Sequence, residues 1–244
     1  MGIYKDESLS PFEASRVTTD RMLRLLPRIK RSTKILVLQS GFGTAARYIA
    51  ETHQCKIECL NDDKVQNAFN QSRIDEMELG KMVKVSFGDV DYMPYEPDTF
   101  DFVIAQDSFS ITAQKRQMFR AIHRVMKPEA RLVFSAIMRG DKVDAEGDKL
   151  INSLPVEELI TLEDYEQDAK KGFFQQIYNL DLSQHLAIHF RKMAESLTEN
   201  KEDMVEQTSN KFVDKRMHTC KTIQKLAESG QLNWGILMFQ KLNG

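Results

Sequence analysis

Cysteine is scarce: Cys55, Cys59 and Cys220 are the only three in 244 residues. An odd set without CxxC spacing excludes a disulfide framework and offers no zinc pattern, so reduced thiols and a cytoplasmic setting are expected. No stretch approaches the roughly 20 apolar residues that a bilayer-spanning helix needs. The opening segment MGIYKDESLS lacks an apolar leader core, and Lys5, Asp6 and Glu7 after Gly2 argue against N-myristoylation. Charge of one sign is also missing: the net charge is −2 and the pI about 6.2. No global field therefore favours nucleic acid or an anionic membrane as partner. The basic run at Arg24, Arg28, Lys30, Arg31 and Lys34 reads as a solvated face. His185 and His189 share a helix face but have no third ligand or carboxylate motif, so no metal is expected. Repeats and low-complexity segments are absent.

What is present is an alternation of strand and helix signals. With 41% hydrophobic and 29% charged residues, the chain can bury a real core. In KILVLQSGFGTAARY, Lys34 to Tyr48, the apolar run Ile35 to Leu38 has the character of a strand buried on both faces. Gly41 and Gly43 follow as a turn that lets backbone N–H groups approach a ligand, and Thr44 can open a helix. Any strand-turn-helix crossover also uses a glycine or two, so this loop alone decides nothing. Further strands are expected at Lys56–Leu60, Val83–Phe87, Asp98–Asp107, Leu132–Ile137, Phe173–Tyr178 and Trp234–Leu242. A helix is expected from about Asp62 to Leu79, with Val65, Phe69, Ile74 and Met77 toward the core and Gly80 as its stop. Another spans Gln114 to Met126, closed by Lys127-Pro128; polar residues 139–148 read as a long connection. Ser183–Leu197 is an amphipathic helix with Leu186, Phe190, Met193 and Leu197 as its stripe, and Lys201–Glu228 is mostly helix. The arithmetic is that of a parallel α/β sheet.

Open α/β sheets bind ligands at the carboxyl ends of their strands, and the residues there make a recognisable set. The segments EASRVTTDRML, GFGTAARYIA, IECLNDDKVQN, DTFDFVIAQDSF, RVMKP and GQLNWGILMFQK occur in order along nearly the whole chain. Together they resemble the class I S-adenosylmethionine-dependent methyltransferases, most of all the sarcosine/dimethylglycine N-methyltransferases. The resemblance implies a Rossmann-like α/β fold: a seven-stranded, mostly parallel sheet with an antiparallel last strand and helical cap segments. It implies a single domain over residues 1–244. Residues 1–33 would form an amino-terminal helical segment, 34–138 the cofactor half, 139–228 the cap helices and sixth strand, and 229–244 the final strand. S-adenosylmethionine would be the cofactor and a small molecule the acceptor, with a homodimer or an active paralogue as partner. Gly41 and Gly43 would lie against the methionine part of the cofactor, and Asn61 and Asp62 would face the ribose. Asp89, with Gly88 and Val90, would read the adenine. Gln106, Asp107, Phe109 and His189 would lie toward the sulfonium and the acceptor. Each also has a plain structural reading: Asp89 and Asp107 are short polar residues after strands, common in any turn.

The chain departs from the family pattern at Val37, where an acid is usual, and at Gln39, where a glycine is usual. A lost charged hydrogen bond to the cofactor's ammonium group is worth roughly 1.5–3 kcal/mol. Glu129-Ala130 replaces Gly-Gly, Ile111 replaces a histidine and Ala136 replaces an acid. Two readings follow: methyl transfer to a small acceptor such as sarcosine or dimethylglycine, or a catalytically degenerate relative acting as a binding or regulatory subunit.

Overall fold

The computed structural model describes residues 1–109 and 114–243; the expectation for Ile111 lies outside them. The sheet is built from β1 (Lys34–Leu38), β2 (Lys56–Asn61), β3 (Val83–Phe87), β4 (Phe100–Gln106), β5 (Met126–Arg139), β6 (Phe174–Asp181) and β7 (Leu232–Lys241). Its seven strands lie in the order β3-β2-β1-β4-β5-β7-β6. Strands β1 to β5 pair in parallel, and β7 runs antiparallel to both β5 and β6. This is the expected mostly parallel sheet with one reversed strand, the last in sequence, inserted between its neighbours.

Strand β1 shows why both faces are covered. Ile35 and Val37 enter one apolar layer with Ala46, Ile49, Ile74 and Trp234, whereas Leu36 and Leu38 enter the other with Phe119, Phe134 and Phe239. Helices α1 (Pro11–Leu23), α2 (Thr44–His53), α3 (Lys64–Glu76), α5 (Ala145–Asn152), α7 (Gln184–Glu199) and α9 (Asn210–Glu228) contribute to the first layer. Helices α4 (Lys115–Val125) and α6 (Leu162–Lys171) contribute to the second. Helix α8 (Lys201–Gln207) has no buried residue. Among the described residues no helix is long and apolar enough to cross a membrane.

Local chemistry sets the boundaries. Ser10 and Glu13 form a reciprocal capping box with Pro11 opening α1, and the Asp63 carboxylate caps α3. The stripe expected on α3 is not observed: Val65 is 77% exposed, Phe69 and Met77 are also exposed, and Ile74 is buried beside Asn70. Helix α3 turns an amide inward because it packs on the glycine loop, where Asn70 accepts from Arg47. Lys127-Pro128 does not close a turn after α4 but lies inside β5, which begins at Met126 opposite Phe100. Glu129 there takes a left-handed conformation, φ 61°, at the register shift between Phe100 and Phe102. The connection after β5 is shorter than expected because Asp144 caps α5, and the helical stretch 201–228 breaks at Thr208, where Ser209 caps α9.

Candidate active site

A cleft of about 440 Å³ opens at the carboxyl ends of β1, β2 and β4, bounded by Gln39 and Gly41, Asn61 to Asp63, Asp89 to Asp91, and Gln106 to Phe109. The loop after β1 makes its floor. Gln39 has φ 48° and Gly41 φ 53°, so Gln39 holds a left-handed backbone that favours glycine. A Cβ built on Gly41 meets only Gln66 Oε1, at 3.8 Å, which leaves that side open to a ligand. Gly43 differs. With φ 75° it caps α2, and a Cβ there would fall 1.8 Å from Asn70 Oδ1. Gly43 therefore makes room for an interior amide that accepts from Arg47 Nη1 at 2.5 Å, and it does not line the cleft. Val37 also lies away from it, 4% exposed among apolar neighbours.

Asn61 lines the cleft but its side chain is engaged. Oδ1 accepts from the Gly41 N–H at 3.3 Å, and Nδ2 donates to Gln66 Oε1 at 3.2 Å. With Asp63 used as a cap, Asp62 is the carboxylate on this wall whose side chain is left to a ligand. On the adjoining wall Asp89 accepts from the Asp91 N–H, beside Val90. Gly88 stands behind the lining, donating to the Asn61 carbonyl, with Leu60 Cδ1 3.0 Å from where a Cβ would be. Burial, and then the charge of Asp89, raises the pKa of Asp91.

At the far end Gln106 Oε1 accepts from Thr19 Oγ1 at 2.9 Å and Nε2 donates to Ser15 Oγ at 3.0 Å, tying β4 to α1. Asp107 follows in a left-handed conformation, φ 55°. Its Oδ1 accepts from Ser135 Oγ and from Trp234 Nε1, both at 2.8 Å, and its Oδ2 pairs with the α-ammonium of Met1. Burial alone would raise this carboxyl. The ammonium and the two neutral donors outweigh burial and hold it below its ordinary value. Phe109 is 2% exposed and stacks on Phe134, with centroids 4.1 Å apart, so its ring serves the core.

His189 on α7 is near this end but outside the cleft lining; its Nδ1 lies 2.8 Å from the Tyr4 hydroxyl. Burial, reinforced by the Met1 ammonium and opposed by Asp107, pushes its pKa down to about 4. His185 Nδ1 receives the Tyr4 N–H at 3.3 Å. No group of His, Cys, Asp or Glu able to hold a metal occurs among the described residues. Trp234, Ser135, Tyr4 and Gln66 were not foreseen, since each is brought in by packing from a distant element without any motif of its own.

Residues 36–134 match the family model for a methyltransferase domain. The glycine/sarcosine/dimethylglycine N-methyltransferase of Actinopolyspora halophila is 27% identical over 97% of this chain, which spans 42% of that protein's length. The sarcosine/dimethylglycine N-methyltransferase of Aphanothece halophytica is 26% identical over 99% of this chain and 87% of its own. The crystal structure of a proposed sarcosine dimethylglycine methyltransferase from Galdieria sulphuraria superposes with a TM-score of 0.88 at 25% identity, covering 99% of this chain and 92% of that one. The Mycobacterium tuberculosis cyclopropane synthase MmaA2 reaches the same TM-score at 19% identity, a likeness of fold. The chain carries a methyltransferase domain and has the fold of the class I S-adenosylmethionine-dependent methyltransferases. Within that class it is similar to the sarcosine/dimethylglycine N-methyltransferases.

The cleft fits that cofactor on independent grounds. Two buried polar atoms along it, Oδ1 of Asp91 and Oγ of Ser108, have no hydrogen-bond partner among the described residues. Buried polar atoms left unpaired are costly, and a ligand bearing amines and hydroxyls satisfies both. The open side of Gly41 supplies the close backbone approach.

Proposed function

We propose that this chain transfers a methyl group from S-adenosylmethionine to the nitrogen of a small amine of the sarcosine or dimethylglycine type. The observation that carries this reading is the Asp107 carboxylate. It lies at the end of the cofactor cleft with one oxygen occupied by neutral donors and the other on an ammonium ion. An acceptor amine would take the place that the Met1 ammonium holds.

Bound in the cleft, the cofactor supplies an electrophilic methyl group on a sulfonium, so the protein needs no nucleophile of its own. Its residues have to align the pair, exclude water and keep the acceptor nitrogen unprotonated when it attacks. Asp107 fixes the nitrogen. His189, neutral above about pH 4, adds no positive charge to repel a cation. The ammonium form that Asp107 holds must first give up its proton to solvent, and the freed nitrogen lone pair can then accept the methyl group that the bound cofactor would supply.

Calorimetric titration with S-adenosylmethionine and S-adenosylhomocysteine, followed by mass-spectrometric assay of glycine, sarcosine and dimethylglycine, tests the proposal. Micromolar cofactor binding and methylation of one amine are expected. Absence of binding up to millimolar ligand would overturn it in favour of a regulatory subunit.

A further inference from the structure

We propose that Trp234, together with Ser135, is a positioning residue for the methyl acceptor: the pair fixes the Asp107 carboxylate so that one oxygen alone faces the incoming nitrogen. The inference rests on the amine-methylating reading above and extends it to residues that do not touch the substrate.

Both donors are completely buried, each 0% exposed, and both address Oδ1 at 2.8 Å. Two donors on one oxygen stop rotation of the carboxylate about its Cβ–Cγ bond and leave Oδ2 as the oxygen presented to a cation. Ser135 also fixes the backbone beneath: the Asp107 N–H donates to the Ser135 carbonyl at 3.0 Å and reaches its Oγ at 3.1 Å. That clamp holds a non-glycine residue at φ 55°, a conformation that persists only where the surroundings impose it. Trp234 is fixed in turn. It pairs with Ile137 in the β5–β7 ladder, its N–H donates to Ser183 Oγ at 3.1 Å, and its carbonyl accepts from Leu182 N–H at 2.8 Å. The buried indole N–H needs a partner, and the one it takes is the carboxylate at the end of the cleft.

The two donors also make Asp107 a poor base, suited to holding a cation and unsuited to taking its proton. The charged and titratable groups facing it are the Met1 ammonium and the His189 imidazole. Removing a donor therefore raises the Asp107 pKa.

Trp234 is the single tryptophan of the chain, so its indole N–H gives one resonance in the intact protein. That resonance should shift in Asp107→Asn and on addition of the acceptor amine. In Trp234→Phe and Ser135→Ala, kcat/KM for the amine should fall about tenfold each, through KM, as expected for one charge-assisted hydrogen bond. S-adenosylhomocysteine affinity and kcat should stay put. An indole resonance indifferent to Asp107→Asn would overturn the proposal, as would an unmoved KM in both folded variants. A resonance that follows Asp107 in a protein that methylates no amine would instead overturn the amine reading and leave the Trp234–Asp107 clamp standing.

Discussion

The indole nitrogen of Trp234 lies 2.8 Å from a carboxylate oxygen of Asp107, although 127 positions separate the two residues in the chain. The contact joins the last strand to the end of β4, so the acceptor end of the cleft depends on sheet closure as much as on the loops around it. If Asp107 is the group that holds the amine, Asp107→Asn should lower kcat/KM for the acceptor by roughly 10²-fold or more, since a charged partner contributes about 1.5–3 kcal/mol. Cofactor affinity should stay within about threefold. Parallel titrations of amine and cofactor check this, and equal loss of both would count against a dedicated acceptor role.

The two glycines of the loop should respond in opposite ways. Gly41 faces open space, so Gly41→Trp should abolish detectable S-adenosylhomocysteine binding while the protein still unfolds cooperatively. Gly43 faces Asn70 at an impossible distance for a Cβ. Gly43→Ala should therefore cost about 2–4 kcal/mol of stability through strain and displaced packing. Calorimetric binding and chemical denaturation of both variants decide the matter.

Acid should weaken the fold in a defined window. An unfolded histidine titrates near 6.5, but folded His189 is held at about 4, first by burial and then by the Met1 ammonium. Between those values the unfolded chain binds a proton that the folded chain refuses. Stability therefore falls as the pH drops from 6.5 toward 4, by up to about 3 kcal/mol from this residue. His185, also lowered by burial, adds to the trend, whereas Asp107, lowered from 3.8, acts only at more acid pH. Urea midpoints measured against pH should be flatter for His189→Gln than for the parent; superimposable slopes would contradict the assignment.

Gln39 and Glu129 both occupy left-handed backbone, φ 48° and φ 61°. An L side chain there costs roughly 1–2 kcal/mol, partly offset by the greater unfolded-state freedom of glycine. Gln39→Gly and Glu129→Gly should each raise stability by about 0.5–1 kcal/mol. Melting of the single variants checks the gain, and a loss in Gln39→Gly would reveal a structural role for its amide.

The sheet was legible because unbroken apolar runs such as Ile35 to Leu38 and β-rich segments such as Trp234 to Leu242 need burial on both faces. Gly41, Asn61, Asp89 and Asp107 were legible as polar or glycine positions at strand ends. Helix α3 was misread because periodicity assigns Val65 and Phe69 to the core, and nothing local reveals that a buried Asn70 is required to meet Gly43 and Arg47. The β5 boundary was misread because Lys127-Pro128 reads as a stop, whereas the left-handed turn at Glu129 lets the strand continue. Trp234, Ser135 and Tyr4 escaped notice since their polar atoms matter only through tertiary proximity.

Strand β7 lies between β5 and β6 yet is the last of the strands to be synthesised. A nascent chain that has emerged only as far as α9 has two unpaired strand edges and an acceptor carboxylate without its indole partner. Parallel pairing in the first half can proceed early, but the final hairpin-like insertion must await the emergence of β7. Maturation of the acceptor end is thereby timed to the arrival of β7, and refolding should regain the cofactor cleft before it regains turnover.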